Sequence, residues 1–402
     1  MFANGKHLLL ALHSGRLYLL CDDDLRKAVV VSGVFADDPE FIEVVEVTSS
    51  LTLSVASEGL APHLVPDHRV YQELRALKIT GLRRAVSLHS SVQPLPLAGN
   101  LTNPEWLSVC LGGRCDSKCV FCFTEAIRND RGLEFEEVVK SLECGRQKKV
   151  SVVVFSGGEP TLCKDLIRFI NLANQLGYAQ IEIQTNGHRL ARKEYLRSLI
   201  DAGLTSALVS LHAPSAVTHN RLTRMNCSFE RAIQGLMNLS DSIIDFTINF
   251  VVCRDNGPLA VKMVEFVAEK FQRAALRFSF LIVEGGAFDY LRNDLPTLPE
   301  FVNWIGPALA LADELSVVTE VENIPPCISH LLGTPETYSR SRRRSLMDAS
   351  PFNVAHRDRG EFDVKLAACA SCNRSDNCSG LQMAYLANTP DGADHVFPIH
   401  DG

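Results

Sequence analysis

Short apolar runs alternate with longer amphipathic segments through the middle of the chain, and this alternation limits the possible folds more than any other feature. Between about Gly132 and Gly286, β-branched runs of strand length are separated by stretches of helical periodicity. Several of these stretches end at a glycine, as at Gly177 and Gly203, which is a common helix C-terminus. Six βα units in succession predict an α/β fold whose parallel sheet curls into a partial (βα)6 TIM-like barrel.

The same alternation assigns bounds to the elements. The predicted strands are Leu107–Leu111, Val150–Phe155, Gln180–Gln184, Ser206–Leu211, Phe246–Val252 and Leu276–Val283. The clearest predicted helices are Lys164–Leu176, Lys193–Ala202, Ser228–Leu239 and Leu259–Phe271.

The two ends of the chain differ from its middle. Residues 1–100 contain β-rich runs joined by Gly, Asp and Ser turns, which predicts a small β-rich N-terminal domain. Residues 101–290 are then the barrel core. Residues 291–402 carry prolines, four further cysteines and a basic run at Arg340–Arg344, and we interpret them as a loop-rich C-terminal extension.

Charge and the N-terminal residues indicate the class of protein. A net charge of −7 and a pI near 6.0 argue against a protein that binds along a nucleic-acid duplex. The first apolar run is short, and neither a signal peptide nor a membrane span is predicted. We therefore expect a cytoplasmic protein without membrane contact.

The cysteine content points to metal or redox chemistry. The chain has 13 cysteines, an odd number that does not suit a disulfide scaffold in a protein without a secretory signal. Three of them stand close together, as Cys115-x3-Cys119-x2-Cys122, with no fourth beside them. A structural zinc site needs four ligands, whereas an iron–sulfur cluster held by three thiolates leaves one iron free to bind another molecule.

Polar and glycine-containing motifs follow the predicted strands at the ends where such folds place their working residues. The cysteine segment follows the first strand, and GGEP (Gly157–Pro160) follows the second. TNG (Thr185–Gly187) follows the third strand, and SLH (Ser210–His212) ends the fourth. A zinc knuckle or a set of buried thiols is the alternative for the cysteines, but neither would explain these motifs at successive strand ends.

The CxxxCxxC segment after one strand and GGEP after the next resemble the radical S-adenosylmethionine (SAM) superfamily over about residues 105–285. The resemblance implies that Cys115, Cys119 and Cys122 hold a [4Fe–4S] cluster whose open iron binds SAM. It also implies that Phe121 packs against adenine. The remaining SAM-binding positions that it implies are Gly157, Gly158, Glu159, Gln184, Ser210 and Asn249.

The resemblance implies a reaction and partners too. An electron donor such as flavodoxin or ferredoxin reduces the cluster, SAM is cleaved to methionine and a 5′-deoxyadenosyl radical, and that radical takes a hydrogen atom from the substrate. The cofactor supplies this chemistry, and the protein supplies orientation and a dry interior. His212 and Cys163 are candidate catalytic groups; a structural histidine and a packed thiol are the alternatives.

A second cysteine group lies near the C-terminus. Cys369-x2-Cys372-x5-Cys378 and the upstream Cys327 supply four thiolates, enough for a second iron–sulfur cluster or for zinc. The spacing resembles the SPASM or twitch extension of radical SAM enzymes, although Gln382 stands where a full extension has another cysteine. We expect one fully ligated auxiliary [4Fe–4S] cluster, which makes this a cluster-binding extension.

These observations leave several functions open. The extension resembles that of peptide-modifying enzymes, so a peptide is the first substrate class. Oxidation, epimerisation or rearrangement of a small metabolite is the second, and modification of tRNA is the third. The hypothesis outside the enzymes is a non-catalytic iron–sulfur or zinc protein that acts as a sensor or scaffold. Glu284 and Arg340–Arg344 are candidate substrate contacts, with exposed loop residues as the alternative.

Overall fold

The computed structural model describes residues 106–122, 132–283, 295–334, 363–389 and 392–400. It also describes the backbone of seven strands at 8–13, 16–21, 27–32, 41–47, 53–57, 346–350 and 353–357. None of the helices in these ranges combines the length and apolarity needed to cross a bilayer. The chain forms two compact units, one containing residues 1–97, 360–372 and 379–393 and the other the remainder.

The first unit contains an antiparallel meander in which each strand pairs with the next along the chain. Its strands are β1 (Leu8–His13), β2 (Arg16–Cys21), β3 (Lys27–Ser32), β4 (Phe41–Val47) and β5 (Leu53–Ser57). This confirms the β-rich character predicted for the N-terminal residues. The unit also contains the short antiparallel pair of β15 (Asp363–Val364) and β16 (Leu381–Gln382), which is followed by helix α9 (Met383–Asn388).

The second unit is built on a sheet of nine strands in the order β12-β11-β10-β9-β8-β7-β6-β13-β14. Eight of them run parallel, β13 and the seven strands β6 (Trp106–Cys110), β7 (Val152–Ser156), β8 (Gln180–Thr185), β9 (Ser206–Ser210), β10 (Asp245–Val252), β11 (Ala275–Phe280) and β12 (Thr319–Glu322). β13 (Leu346–Ser350) pairs parallel with β6 and antiparallel with β14 (Asn353–Arg357). The predicted α/β fold with a parallel sheet is confirmed.

Helices connect the parallel strands. They are α1 (Phe135–Gln147), α2 (Leu166–Gln175), α3 (Lys193–Asp201), α4 (Ala216–Thr223), α5 (Ser228–Ser240), α6 (Ala260–Lys270), α7 (Leu298–Glu314) and α8 (Pro326–Leu331). Their apolar faces are buried, as shown by Leu142 of α1, Ile170 of α2 and Leu236 of α5. Each buried leucine or isoleucine contributes about 1.5–3 kcal/mol to folding.

The register of the strands aligns the ends that follow the predicted motifs. Cys110 at the end of β6 pairs with Ser156 at the end of β7, and Thr185 at the end of β8 pairs with Val209 of β9. Because parallel strands end at the same edge of the sheet, the loops after β6, β7, β8 and β9 meet there. β12 and β13 lie beyond residue 290 and nevertheless pair in this sheet. The division of the chain at about residues 100 and 290 stays a prediction.

Candidate functional site

A cavity at the carboxyl ends of the parallel strands collects most of the predicted site residues. The thiols of Cys115, Cys119 and Cys122 line it, beside Phe121 of the same loop. Gly157, Gly158 and Glu159 line it from the loop after β7. Gln184, Ser210, His212 and Asn249 line it from β8, β9 and β10 or the residues just after them. The structure therefore brings together side chains that are up to 134 positions apart in the chain, from Cys115 to Asn249.

The cysteine loop is held by backbone hydrogen bonds to the end of α4. The N–H of Lys118 donates to the carbonyl of Thr223, and the N–H of Val120 donates to the carbonyl of Leu222, both at 2.9 Å. Within the loop, the N–H of Cys122 donates to the carbonyl of Cys119 at 3.1 Å. These bonds fix the backbone that carries the three thiols.

The three thiols line one cavity and could hold a multi-iron cluster, in which each thiolate binds a different iron atom. Among the described residues, no group of three His, Cys, Asp or Glu side chains is placed to hold a single metal ion. Burial raises the pKa of the Cys115 thiol to about 11, with a smaller opposing effect of the Ser117 N–H. The free thiol is therefore protonated at neutral pH, and metal binding would release its proton.

The loop after β7 packs backbone to backbone against the cysteine loop. The N–H of Gly158 donates to the carbonyl of Gly112 at 2.7 Å, and the N–H of Glu159 donates to the carbonyl of Arg114 at 2.8 Å. Gly157 has φ +129°, and a β-carbon on it would lie 2.5 Å from the Gly112 oxygen. Only glycine allows this approach. GGEP thus fixes the start of the cysteine loop.

The Glu159 carboxylate is buried, with 4% of the residue exposed, and four donors surround it. Oε1 accepts from the Thr161 N–H at 3.0 Å and from the hydroxyls of Thr161 and Thr185 at 2.5 and 2.7 Å. Oε2 accepts from the Asn186 N–H at 2.7 Å. Burial raises the pKa of this carboxyl, and the four donors oppose the rise. Glu159 therefore joins the loops after β7 and β8, in addition to any contact with a ligand.

Phe121 and His212 form an aromatic wall of the cavity. Their ring centroids are 4.6 Å apart in an edge-to-face arrangement. His212 is buried, and its Nδ1 accepts from the Val251 N–H at 3.3 Å. Burial, and secondarily the neighbouring His219, lower the pKa of His212 well below its ordinary value. His212 is thus a neutral ring on the cavity wall, consistent with packing against a flat ligand.

The interior of the sheet carries charges that extend to the same cavity. Arg277 of β11 bonds Glu320 of β12 through Nε at 2.7 Å and lies 3.6 Å from Glu322 through Nη1. Glu182 of β8 also interacts with Arg277, and burial raises the pKa of Glu182. Glu322 and Asn323 line the cavity itself. Among the described residues that line it, none is a lysine or an arginine.

Several predicted residues lie elsewhere. Cys163 is not among the described residues that line the cavity, and burial raises the pKa of its thiol. Cys327 lies in α8, Cys369 lies within a short 3-10 turn that Cys372 follows, and Cys378 follows another such turn. No metal-binding group of three is found among the described residues, these four included, so the auxiliary cluster stays a prediction. Glu284 and Arg340–Arg344 lie outside the described residues.

Other residues at the site were not predicted from the sequence. Ser117, Thr185, Asn186 and Ser228 line the cavity, and Asp116 and His188 lie behind it. The sequence shows TNG as a motif, but the hydrogen bonds of Thr185 and Asn186 to Glu159 depend on a contact between two loops. No local pattern reports such a contact.

Comparison with known proteins agrees with this geometry. Residues 109–259 match the family model of the Radical SAM superfamily. A "Probable GTP 3',8-cyclase" of Saccharolobus solfataricus is 34% identical over 163 residues, which is 40% of this chain and 52% of the relative. One of Methanothermobacter thermautotrophicus is 30% identical over 167 residues, 41% of this chain and 54% of the relative. The chain spans about half the length of the curated relatives it matches.

Solved structures share the fold. Streptococcus suis SuiB bound to S-adenosylmethionine matches with a TM-score of 0.56 and 17% identity, over 72% of this chain and 75% of SuiB. The structure of anSMEcpe with bound AdoMet matches with a TM-score of 0.51 and 15% identity, over 72% of this chain and 92% of that protein. At these identities the likeness concerns the fold alone.

Proposed function

We propose that the protein is an enzyme that reductively cleaves S-adenosylmethionine and abstracts a hydrogen atom from a substrate, on the premise that residues 109–259, which match the family model of the Radical SAM superfamily, form a radical SAM domain. The observation that carries the proposal is the common cavity of three thiols, the GGEP loop and the Phe121–His212 wall. These features come from the ends of three strands, β6, β7 and β9, and a metal-stabilised binding protein needs only the three thiols.

In this proposal each part of the cavity has a role. Cys115, Cys119 and Cys122 hold the [4Fe–4S] cluster, which supplies the electron that cleaves SAM. The Gly157–Gly158 backbone lines the cavity beside the cysteine loop and would take the methionine end of SAM. Phe121 packs against the adenine, and Gln184, Ser210 and Asn249 offer polar groups to the rest of SAM. A flavodoxin or ferredoxin is the proposed electron donor.

The first candidate substrate is a peptide. The charge of the cavity supports this choice, because its described lining holds the Glu322 carboxylate and no cationic side chain. The interior cation Arg277 is already paired with Glu320 and Glu322. A triphosphate in this cavity would meet no cationic side chain among the described lining residues, whereas a neutral or amine-bearing peptide segment needs none.

The second candidate substrate is a small molecule such as a nucleotide. The sequence similarity to proteins named probable GTP 3',8-cyclases favours it. The two candidates differ in the charge that the cavity must accept. Equilibrium binding of GTP to the reconstituted protein, for wild type and Glu322→Gln, separates them. Tight binding of GTP by wild type would support the nucleotide and remove the charge argument for a peptide.

We also propose an auxiliary [4Fe–4S] cluster held by Cys327, Cys369, Cys372 and Cys378. Its support is the presence of four thiols near the C-terminus at a spacing that resembles auxiliary-cluster extensions. Four thiolates would complete its ligand shell, so it would transfer electrons or stabilise the fold without binding substrate. Zinc bound by the same four cysteines is the alternative.

One experiment tests both clusters and the reaction. Wild type and Cys115→Ala/Cys119→Ala/Cys122→Ala are reconstituted anaerobically, iron, zinc and sulfide are counted, and SAM is incubated with dithionite. We expect about eight irons per chain in wild type and about four in the triple variant, with loss of 5′-deoxyadenosine. Zinc in place of iron, without SAM cleavage, would support a sensor or scaffold protein and reject the enzyme.

A further inference from the structure

A chain of hydrogen-bonded polar side chains runs from Asp116 to His219, and two of its members, Ser228 and His219, line the cavity. Oδ2 of Asp116 lies 3.2 Å from Nδ1 of His188, and Nε2 of His188 lies 2.9 Å from the Ser228 hydroxyl. The same hydroxyl lies 3.1 Å from Nε2 of His219. His188, Ser228 and His219 are 6%, 0% and 1% exposed. Three buried polar side chains in a row incur a desolvation cost that only a complete set of hydrogen bonds offsets.

The geometry assigns a direction to this chain. The backbone N–H of His212 donates to Nδ1 of His219 at 3.1 Å, and an amide N–H can only donate. The His219 proton is therefore on Nε2, which donates to the Ser228 hydroxyl. The hydroxyl is then free to donate to His188, whose Nδ1–H donates to the Asp116 carboxylate. Every donor points toward Asp116.

The charge states agree with this direction. Burial, and then the nearby His188, lower the pKa of His219 to about 3, so His219 is neutral. A carboxylate thus accepts at one end of the chain and a backbone amide donates at the other.

The two ends of the chain reach the two ends of the cysteine loop. Asp116 directly follows Cys115 in the sequence. At the other end, the His219 ring stacks on the His212 ring at 5.7 Å, and His212 contacts Phe121, the residue before Cys122. The helix α4 that carries His219 also accepts the Lys118 and Val120 N–H groups of the loop. The loop is therefore braced at its first thiol, its middle and its last thiol.

We propose that Asp116, His188, Ser228 and His219 are positioning residues that hold the cysteine loop in its ligand-binding geometry. This inference rests on the proposed function for its catalytic meaning. Ser228 is the central member, because its single hydroxyl joins both histidines. Without that hydroxyl the two histidines lose their common hydrogen-bond partner, and the chain of hydrogen bonds is interrupted between His188 and His219.

The test compares Ser228→Ala with Ser228→Thr, which keeps the hydroxyl, and with Asp116→Asn. Asp116→Asn changes a side chain that is 29% exposed, so this variant does not place a new group in the buried core and should fold. The matched control is Ser240→Ala at the other end of α5, where the hydroxyl bonds only the carbonyl of Leu236 among the described contacts. Hydrogen exchange of residues 115–122 is measured in the full chain without cluster or SAM.

We expect exchange of residues 115–122 to rise in Ser228→Ala and Asp116→Asn, while Ser240→Ala matches wild type and Ser228→Thr lies closer to wild type than Ser228→Ala. In the reconstituted enzyme, KM for SAM should rise on the order of tenfold, with a smaller change in kcat and an altered electron paramagnetic resonance signal of the reduced cluster with SAM.

Two results would overturn the proposal. One is exchange of residues 115–122 that matches wild type in both variants. The other is a uniform increase over the whole chain, because the four residues would then serve stability alone. If wild type cleaves no SAM, the proposed function fails, but the exchange of residues 115–122 still decides whether these side chains brace the loop.

Discussion

Gly158 faces the backbone of Arg114 so closely that a β-carbon on the glycine would lie 2.4 Å from the Arg114 carbonyl oxygen. The same β-carbon would lie 2.4 Å from the carbonyl oxygen of Gly113. Neither oxygen is the end of a flexible side chain, so the cysteine loop itself would have to move. The contact therefore couples the GGEP loop to the position of Cys115.

Gly158→Ala should displace the cysteine loop and lower the iron content of the reconstituted protein. Gly306→Ala in α7 is the matched control, since its β-carbon would meet only Leu332 at 3.9 Å. We expect the control to keep its iron and to gain about 0.5–1 kcal/mol of stability from a better helix former. Equal iron in both variants would show that the loop moves aside without cost to the cluster.

Glu159→Gln should destabilise the protein by about 1–3 kcal/mol and weaken SAM binding. The NH2 of the glutamine amide would face an N–H or hydroxyl that now donates to the carboxylate, and two donors cannot form a hydrogen bond. Urea unfolding and SAM binding are the measurements. Glu143→Gln, at an exposed position of α1, is the control and should leave both unchanged. A Glu159→Gln variant as stable as wild type would mean that the surrounding hydroxyls reorient to satisfy the amide.

Cys163→Ala should cleave SAM within about twofold of the wild-type rate. Burial raises the pKa of this thiol, so the reactive thiolate is scarce at neutral pH, and the residue is absent from the described cavity lining. The measurement is 5′-deoxyadenosine formation with dithionite. A loss of product with cluster content intact would return Cys163 to the candidate catalytic groups.

Glu300→Ala should destabilise the second unit by about 1 kcal/mol, because Glu300 forms a capping box with Thr297 at the start of α7 and an ion pair with Arg254 at 3.0 Å. Burial acts to raise the pKa of Glu300, but the Thr297 N–H and Arg254 outweigh it, so the pKa lies below the ordinary value of 4.5.

This shift fixes the sign of the pH dependence. The carboxylate stabilises the fold at neutral pH, and its contribution is lost as pH falls from about 4.5 through the folded-state pKa. Chemical unfolding at pH 7 and pH 3.5 measures the difference between wild type and Glu300→Ala, which should shrink at the lower pH. Asp241→Asn removes an exposed ion pair with Lys193 and should change stability by less than about 0.5 kcal/mol.

Periodicity predicted the elements whose burial pattern is local. The strand predicted at Gln180–Gln184 is Gln180–Thr185 in the structure, and the helix predicted at Ser228–Leu239 is Ser228–Ser240. The seventh parallel strand, Thr319–Glu322, was not predicted, because two of its four residues are glutamates. These glutamates are half-buried beside Arg277, which stands 43 positions before Glu320 in the chain, so no local pattern indicates the contact.

The site could be predicted where a motif carries the chemistry, and not where a pair of distant residues carries it. The cysteines, the glycines and Phe121 follow from spacing and resemblance. The protein partners of Glu159 do not, since the resemblance implies only a contact with SAM and the structure adds four donors from the protein's own loops. The sequence predicts Ser228 as the start of a helix, and its role between two histidines depends on how α4, α5 and the loop after β8 pack together.

The composition of β12 also bears on how the protein behaves in concentrated solution. Among the described strands, β12 ends the large sheet, and a sheet edge is where strands of separate molecules can pair and aggregate. β12 is only four residues long, and the two glutamates on it are tied inward to Arg277. A neighbouring molecule that added a strand here would gain few hydrogen bonds next to half-buried charge. The charged residues of β12 thereby also disfavour fibrous self-association at this edge of the sheet.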